Sequence, residues 1–300
     1  MLLSSYFHHS YLINRYKISY SYSALLWVEN RSKQHAEDHS LEMLAAAASY
    51  APNLDSLISE QHSRSSRTSS LRKILTDIPA TKTEVQYLEN NFNGSFWYDA
   101  ISNERNFKQE APKYDIIHLA MHGLLDEKNP ILSSLAFTEN GDSIDDNFLE
   151  AWEISHLKLN AQLVVLSACE AGYGKFQQGE GVMSLARSFM YAGVPSLVVS
   201  MWQVNDASTS IIMQAFYKNL AKGMDKAAAL RQAKLAYIKK AEEYAAHPAF
   251  WAPFIQLGDS RPIHVATKGP SSRLWWLAGG IGGLLAIAGG ALAMSRRRRK

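Results

Sequence analysis

One histidine and the only cysteine of this 300-residue chain offer its most direct chemistry. Cys169 closes the apolar run QLVVLSA (residues 162–168), and His122-Gly123 stands just past the run YDIIHLA (residues 114–120). An imidazole can draw the proton from a thiol or pair with its thiolate, giving a nucleophile for a carbonyl carbon. Gly123 has no side chain, so a substrate oxygen can approach its backbone N–H. That N–H and the N–H of Cys169 are candidate oxyanion donors. A lone cysteine closing an apolar strand is nonetheless more often a small buried hydrophobe, and a strand-end histidine is more often structural. His118, in the middle of its run, reads as a satisfied core residue. The loop Glu170-Ala171-Gly172-Tyr173-Gly174 lacks the GxGxxG and GxxxxGK[ST] spacings of a phosphate cradle.

For imidazole and thiol to meet, their two runs must be neighbouring strands. Tyr114–Ala120, Gln162–Ala168 and Ser196–Met201 are continuous and rich in β-branched residues, which suits strands covered on both faces of a parallel sheet. The segments between and after them are helical. Val182, Leu185, Ala186, Phe189 and Gly193 recur at helical spacing, and Gly193-Val194-Pro195 stops that helix. Asp206 is placed to cap the next helix, where Ile211, Ile212, Ala215, Phe216 and Leu220 share a face. Asp225 caps a third, expected to run to about Tyr244. Upstream, Ile74–Asn91 is amphipathic, and Thr81–Glu84 has the form of a capping box. Strand–helix alternation of this kind predicts an α/β sheet, with ligands beyond the carboxyl ends of its strands.

Composition narrows the classes further. Hydrophobic residues make up 47% and charged residues 20%, which excludes a mainly disordered or collagen-like chain. A single cysteine excludes an intrachain disulfide and a multi-cysteine zinc site. Lys and Arg number 31 against 28 Asp and Glu, but five of those cations are the final run Arg296–Lys300. The body is therefore close to neutral and makes no case for nucleic acid. Before that run, Leu274–Met294 is uncharged, and at 1.5 Å per residue it spans about 31 Å, the thickness of a bilayer core. Trp275 and Trp276 flank one end and the cations the other, so it reads as a single transmembrane anchor. The positive-inside rule favours a body outside the cytoplasm, although the first residues lack the apolar core of a signal peptide. Gly279 and Gly283 form a GxxxG, which either pairs helices or merely lines a lipid-facing one.

At the reactive residues a resemblance emerges. HLAMHG (His118–Gly123) and LVVLSACEAGYG (Leu163–Gly174) resemble the paired motifs of the CHAT domain family, caspase-like domains of clan CD. The similarity continues through GEGVMSLARSFMYAGVPSLVVSMWQVND (Gly179–Asp206), Thr209, FYKNLAKG (Phe216–Gly223), AALRQAK (Ala228–Lys234) and HPAFWAPFIQLGD (His247–Asp259). It implies a caspase-hemoglobinase-like α/β fold with a mostly parallel sheet flanked by helices. It also implies a His122/Cys169 dyad, oxyanion donors at Gly123 and Cys169, and peptide-bond hydrolysis without metal or organic cofactor. Glu170, Trp202 and Asp206 fall in matched blocks, with expected roles in substrate positioning or structure. The chain departs from the family at Met121 and Ala171, where threonine is usual, and in its opening, where a further strand and upstream TPR helices are usual.

The resulting organisation has residues 1–55 as the N-terminal part of the domain, 56–70 as a serine-rich loop and 71–259 as the caspase-like core. A linker (260–273), the membrane helix (274–294) and a basic tail (295–300) come after it. The function implied is that of a membrane-anchored cysteine endopeptidase acting on a protein or peptide. The competing reading is a catalytically silent or latent module that binds a protein partner at the membrane, in a homo-oligomer or with a TPR-type protein.

Overall fold

The three apolar runs become three adjacent parallel strands, because an uncharged, β-branched run must be covered on both faces. The computed structural model describes residues 11–25, 27–28, 40–50, 72, 75–126, 128–140, 144–167, 180–202 and 206–268. In chain order the first half holds α1 (Leu12–Arg15), β1 (Met43–Ala47), α2 (Pro79–Asn91), β2 (Gly94–Tyr98), α3 (Glu104–Glu110) and β3 (Ile116–Ala120). Next come β4 (Gly123–Leu124), β5 (Ser134–Ala136), β6 (Phe148–Glu150), α4 (Ala151–His156) and β7 (Leu163–Leu166). The last are α5 (Glu180–Tyr191), β8 (Ser196–Ser200), α6 (Asp206–Leu220), α7 (Lys226–Lys240) and β9 (Phe254–Gly258).

Six strands form one sheet in the order β2-β1-β3-β7-β8-β9. All neighbours are parallel except β9, which runs antiparallel to β8. Side chains alternate between two cores. Ile117, Leu119, Val164, Leu166 and Val199 meet Phe107, Ile154 and Phe189 from α3, α4 and α5. Ile116, Val165 and Val198 meet Val85, Leu88, Phe216 and Leu230 from α2, α6 and α7. A small antiparallel sheet, β4-β5-β6, grows from the carboxyl end of β3.

Some elements differ from the sequence expectation, each for a physical reason. The strand β1 is three alanines after Met43 and Leu44, all fully buried, and carries no β-branched signal. It nevertheless lies inside the sheet, between β2 and β3. Helix α2 starts at Pro79, whose fixed φ suits a first turn, rather than at a Thr81 cap. The Thr81 hydroxyl instead donates to Ile78 O (2.7 Å), and Glu84 is buried. Asp206 lies within the first turn of α6. Asp225 caps α7 as expected, accepting from Ala228 N, but that helix ends at Lys240, short of Tyr244. Gly193, at φ 111°, lies just past α5, where the sequence stops it.

The β9 edge is covered by Tyr20, whose N–H donates to Gln256 O (2.9 Å) and whose O accepts from Gly258 N (2.8 Å). The start of β1 is tied to the chain's later part by Leu41 N to His264 O and Ala266 N to Leu41 O. The compact unit ends at Ala266. Among the described residues no helix is long and apolar enough to cross a membrane. The serine-rich segment 56–70, the predicted anchor Leu274–Met294 and the tail lie outside the described residues.

Gly94 starts β2 at φ 148°, where an added Cβ would sit 1.9 Å from Met43 O. Gly94→Ala is expected to lower unfolding free energy by at least about 2 kcal/mol, read from the urea midpoint.

Candidate active site

Past Ala120 the chain leaves the sheet through Met121, His122 and Gly123 and turns into β4. His122, only 9% exposed, is fixed at three points. Its carbonyl accepts from Ala136 N (2.9 Å) on β5. Its N–H donates to the Tyr50 hydroxyl (2.9 Å), which in turn donates to Ala136 O (2.7 Å). The Tyr50 ring lies against the imidazole, with centroids 4.7 Å apart. Burial pushes the Tyr50 phenol well above its usual value, so it keeps the proton that it donates.

The third point decides the tautomer. His122 Nε2 lies 2.8 Å from Thr76 O. A carbonyl oxygen only accepts, so Nε2 carries the proton and the neutral ring keeps its lone pair on Nδ1. Asp77, next in the chain, holds this arrangement in register. Its Oδ1 accepts from Tyr50 N (2.6 Å) and Ser49 Oγ (3.3 Å), lashing the segment after β1 to the segment that presents the carbonyl.

Burial lowers the His122 pKa below the ordinary imidazole value, and this outweighs the upward pull of the Thr76 bond, Asp206 and Asp77. The ring is therefore neutral near pH 7, the form a general base requires. Asp206 feels the same neighbourhood: burial raises its carboxyl, and His122 partly opposes that.

Gly123 faces Leu135 across the β4–β5 pair. Because the ladder bond next to it runs from Ala136 N to His122 O, this is a non-hydrogen-bonded pair, and Gly123 turns its N–H away from β5. Trp202 is half-buried just past β8, and its indole donates to Ala249 O (3.2 Å), a structural tie. The strands β3, before His122, and β7, before Cys169 in the chain, are direct neighbours, with Leu119 opposite Leu166 and Ser167 N donating to Leu119 O (3.1 Å). Cys169, Glu170 and the loop through Gly174 lie outside the described residues.

His118 is a core residue, as the sequence indicates. It is fully buried, with Nδ1 3.1 Å from the Tyr217 hydroxyl and Nε2 2.8 Å from Glu84 Oε1. Among the described residues no group of three or more His, Cys, Asp and Glu could hold a metal ion. Tyr50, Thr76 and Asp77 were not visible in the sequence. Thr76 acts through its backbone, which has no sequence signature, and Tyr50 comes after an alanine run that gives no strand signal.

A mostly parallel α/β sheet with a histidine fixed at its carboxyl rim defines the class of architecture. The CHAT domain matches residues 3–259, and the chain belongs to that family. It is 32% identical over 139 residues to human (Homo sapiens) tetratricopeptide repeat protein 28, a match covering 44% of this chain and 5% of that protein. The mouse (Mus musculus) protein of the same name is 31% identical over 124 residues, covering 41% of this chain and 5% of that one. The chain thus spans about one-twentieth of these curated relatives. The crystal structure of the Arg-specific cysteine proteinase gingipain R is similar at a TM-score of 0.42 and 10% identity, over 77% of this chain and 50% of that one. A complex of the pro- and mature domains of RgpB from Porphyromonas gingivalis gives 0.41 and 12%, over 75% and 50%.

Two measurements check the clamp. Tyr50→Phe leaves the His122 N–H and Ala136 O without their hydroxyl partner and is expected to lower stability by about 1–3 kcal/mol in chemical denaturation. In an NMR titration the His122 ring is expected to titrate below 6.5, its ordinary value. The fold favours neutral His122, so this contribution is full above pH 6.5 and is lost as pH falls toward the depressed folded value. Loss of stability over that range in the parent, and a weaker loss in His122→Gln, is the expected pair of results.

Proposed function

We propose that this chain is a cysteine endopeptidase in which Cys169 is the nucleophile and His122 its general base. The observation that carries this reading is the bond from His122 Nε2 to Thr76 O. It assigns the base lone pair to Nδ1 on a ring that burial keeps neutral. Membership of the CHAT family and the direct pairing of β3 with β7 support the partnership with Cys169.

In this mechanism Nδ1 takes the thiol proton as the sulfur attacks the scissile carbonyl carbon. The oxyanion that forms is received by the N–H groups of Gly123 and Cys169. His122 then gives its proton to the leaving amine, and the acyl-enzyme forms. Water, deprotonated by His122, releases the acid and restores the thiol. Asp206 favours the imidazolium electrostatically during the first step, and Glu170 borders the nucleophile. Leu274–Met294 tethers the domain to a bilayer. The substrate is a protein or peptide.

Profiling a peptide library with the purified full chain tests this. Cys169→Ser and His122→Ala are each expected to cut turnover of a matched substrate by about a thousandfold or more. Undiminished turnover in either rejects the mechanism.

The similarity to proteins named for tetratricopeptide repeats favours a second reading, a non-catalytic module that binds a protein partner. Labelling of Cys169 by an electrophile separates the two. Fast labelling near neutral pH that slows in His122→Ala supports the peptidase, and an inert thiol supports the module.

A further inference from the structure

Residues 11–20 form a strap over α7 and β9. Arg231 on α7 donates Nε to Ile13 O (2.6 Å) and an Nη to Asn14 O (2.7 Å). Tyr20 is bonded to the β9 edge, and the Tyr11 ring meets Trp251 edge-on at 5.1 Å between centroids. Between these ties lies a groove of about 360 Å³, with apolar walls that include Leu12, Ile13, Ile18, Leu230, Trp251 and Phe254. That volume is at the small-molecule end of binding sites.

Two cations line the groove, Arg231 and Lys234. Arg231 is engaged by the strap. Lys234 is 8% exposed, and its ammonium donates to Phe254 O and, at 3.4 Å, to Ala252 O. It also faces the Trp251 ring, 6.0 Å to the centroid. Among the described residues no carboxylate pairs with it, and burial alone lowers its pKa, to about 8. Lys226 is the instructive contrast. It too is buried and bonded to two carbonyls, and burial likewise lowers its pKa to about 8, but the carboxylates of Asp259 and Asp225 act on it and it does not line this groove. A buried ammonium without a counter-ion is costly, and an anion in the groove would remove the cost.

We infer that the groove binds an amphiphilic monocarboxylate of fatty-acid type, its carboxylate on Lys234 Nζ and its alkyl chain along the accessible apolar wall residues Leu12 and Ile18. A peptide C-terminus fits less well, because its amides need polar partners. Arg231 is already bonded, and so is Gln256, whose Nε2 donates to Ser196 Oγ and Leu257 O. The inference is independent of the peptidase reading.

The probe is a diazirine-bearing dodecanoate, photolysed with the full chain in nanodiscs, with the matching alcohol as control and crosslinks mapped by mass spectrometry. The acid is expected to label α7 and residues 248–256 saturably, with unlabelled dodecanoate competing. The alcohol, and the acid on Lys234→Met, should label about tenfold less, the loss of one charge-assisted contact. Ile18→Glu, on a partly exposed wall residue, sets a repelling charge in the groove without touching the core and should reduce labelling similarly. Equal labelling by acid and alcohol overturns the inference. So does undiminished labelling in both variants, or stronger competition by an apolar peptide with a free carboxylate than by dodecanoate.

Discussion

The parallel pairing of β3 with β1 on one side and β7 on the other is the constraint on which the rest depends. Parallel strands in register end together. Ala47 lies opposite Ala120, and Leu119 opposite Leu166. The residues just past each strand therefore arrive at one rim: Tyr50 after β1, His122 after β3 and Ser167 after β7. Burial on both faces makes a slip of register expensive, since each of these strands is covered from either side. The rim is consequently rigid where a reacting group must be held.

On that rim the histidine is positioned mostly by backbone and by one phenol. Tyr50 bridges the His122 N–H and the Ala136 carbonyl, while Asp77, the neighbour of Thr76, accepts from Tyr50 N. Each bond is modest by itself. Together they leave the imidazole one orientation and one neutral tautomer. Deeper in the sheet, His118 shows the same residue type with its ring enclosed by Glu84 and Tyr217 and no route to solvent. Two histidines four residues apart thus differ in role because one lies within a strand and the other just beyond its end.

Family membership and the rim geometry bear on function in different ways. The CHAT match says which fold and motif set the chain shares. The Thr76–His122 bond says which ring nitrogen of that histidine carries the proton. Elsewhere, the strap over α7 and β9 borders an apolar groove lined by the buried Lys234, with which no carboxylate pairs among the described residues.

The sequence alone determined which segments must be buried on both faces, because β-branched runs such as Ile116–Ala120 and Leu163–Leu166 have no other stable environment. It also marked where helices begin and stop at Asp225 and Gly193, since caps and left-handed turns are local. It singled out His122 and Gly123 as the residues just beyond a strand end. Only the tertiary structure decided that an alanine run would sit inside the sheet between β2 and β3, as small side chains carry no strand signal and owe their place to neighbours. It likewise brought Tyr50 and Thr76 to His122, and Asp77 to Tyr50, contacts that join residues distant in the chain and use backbone atoms common to every residue.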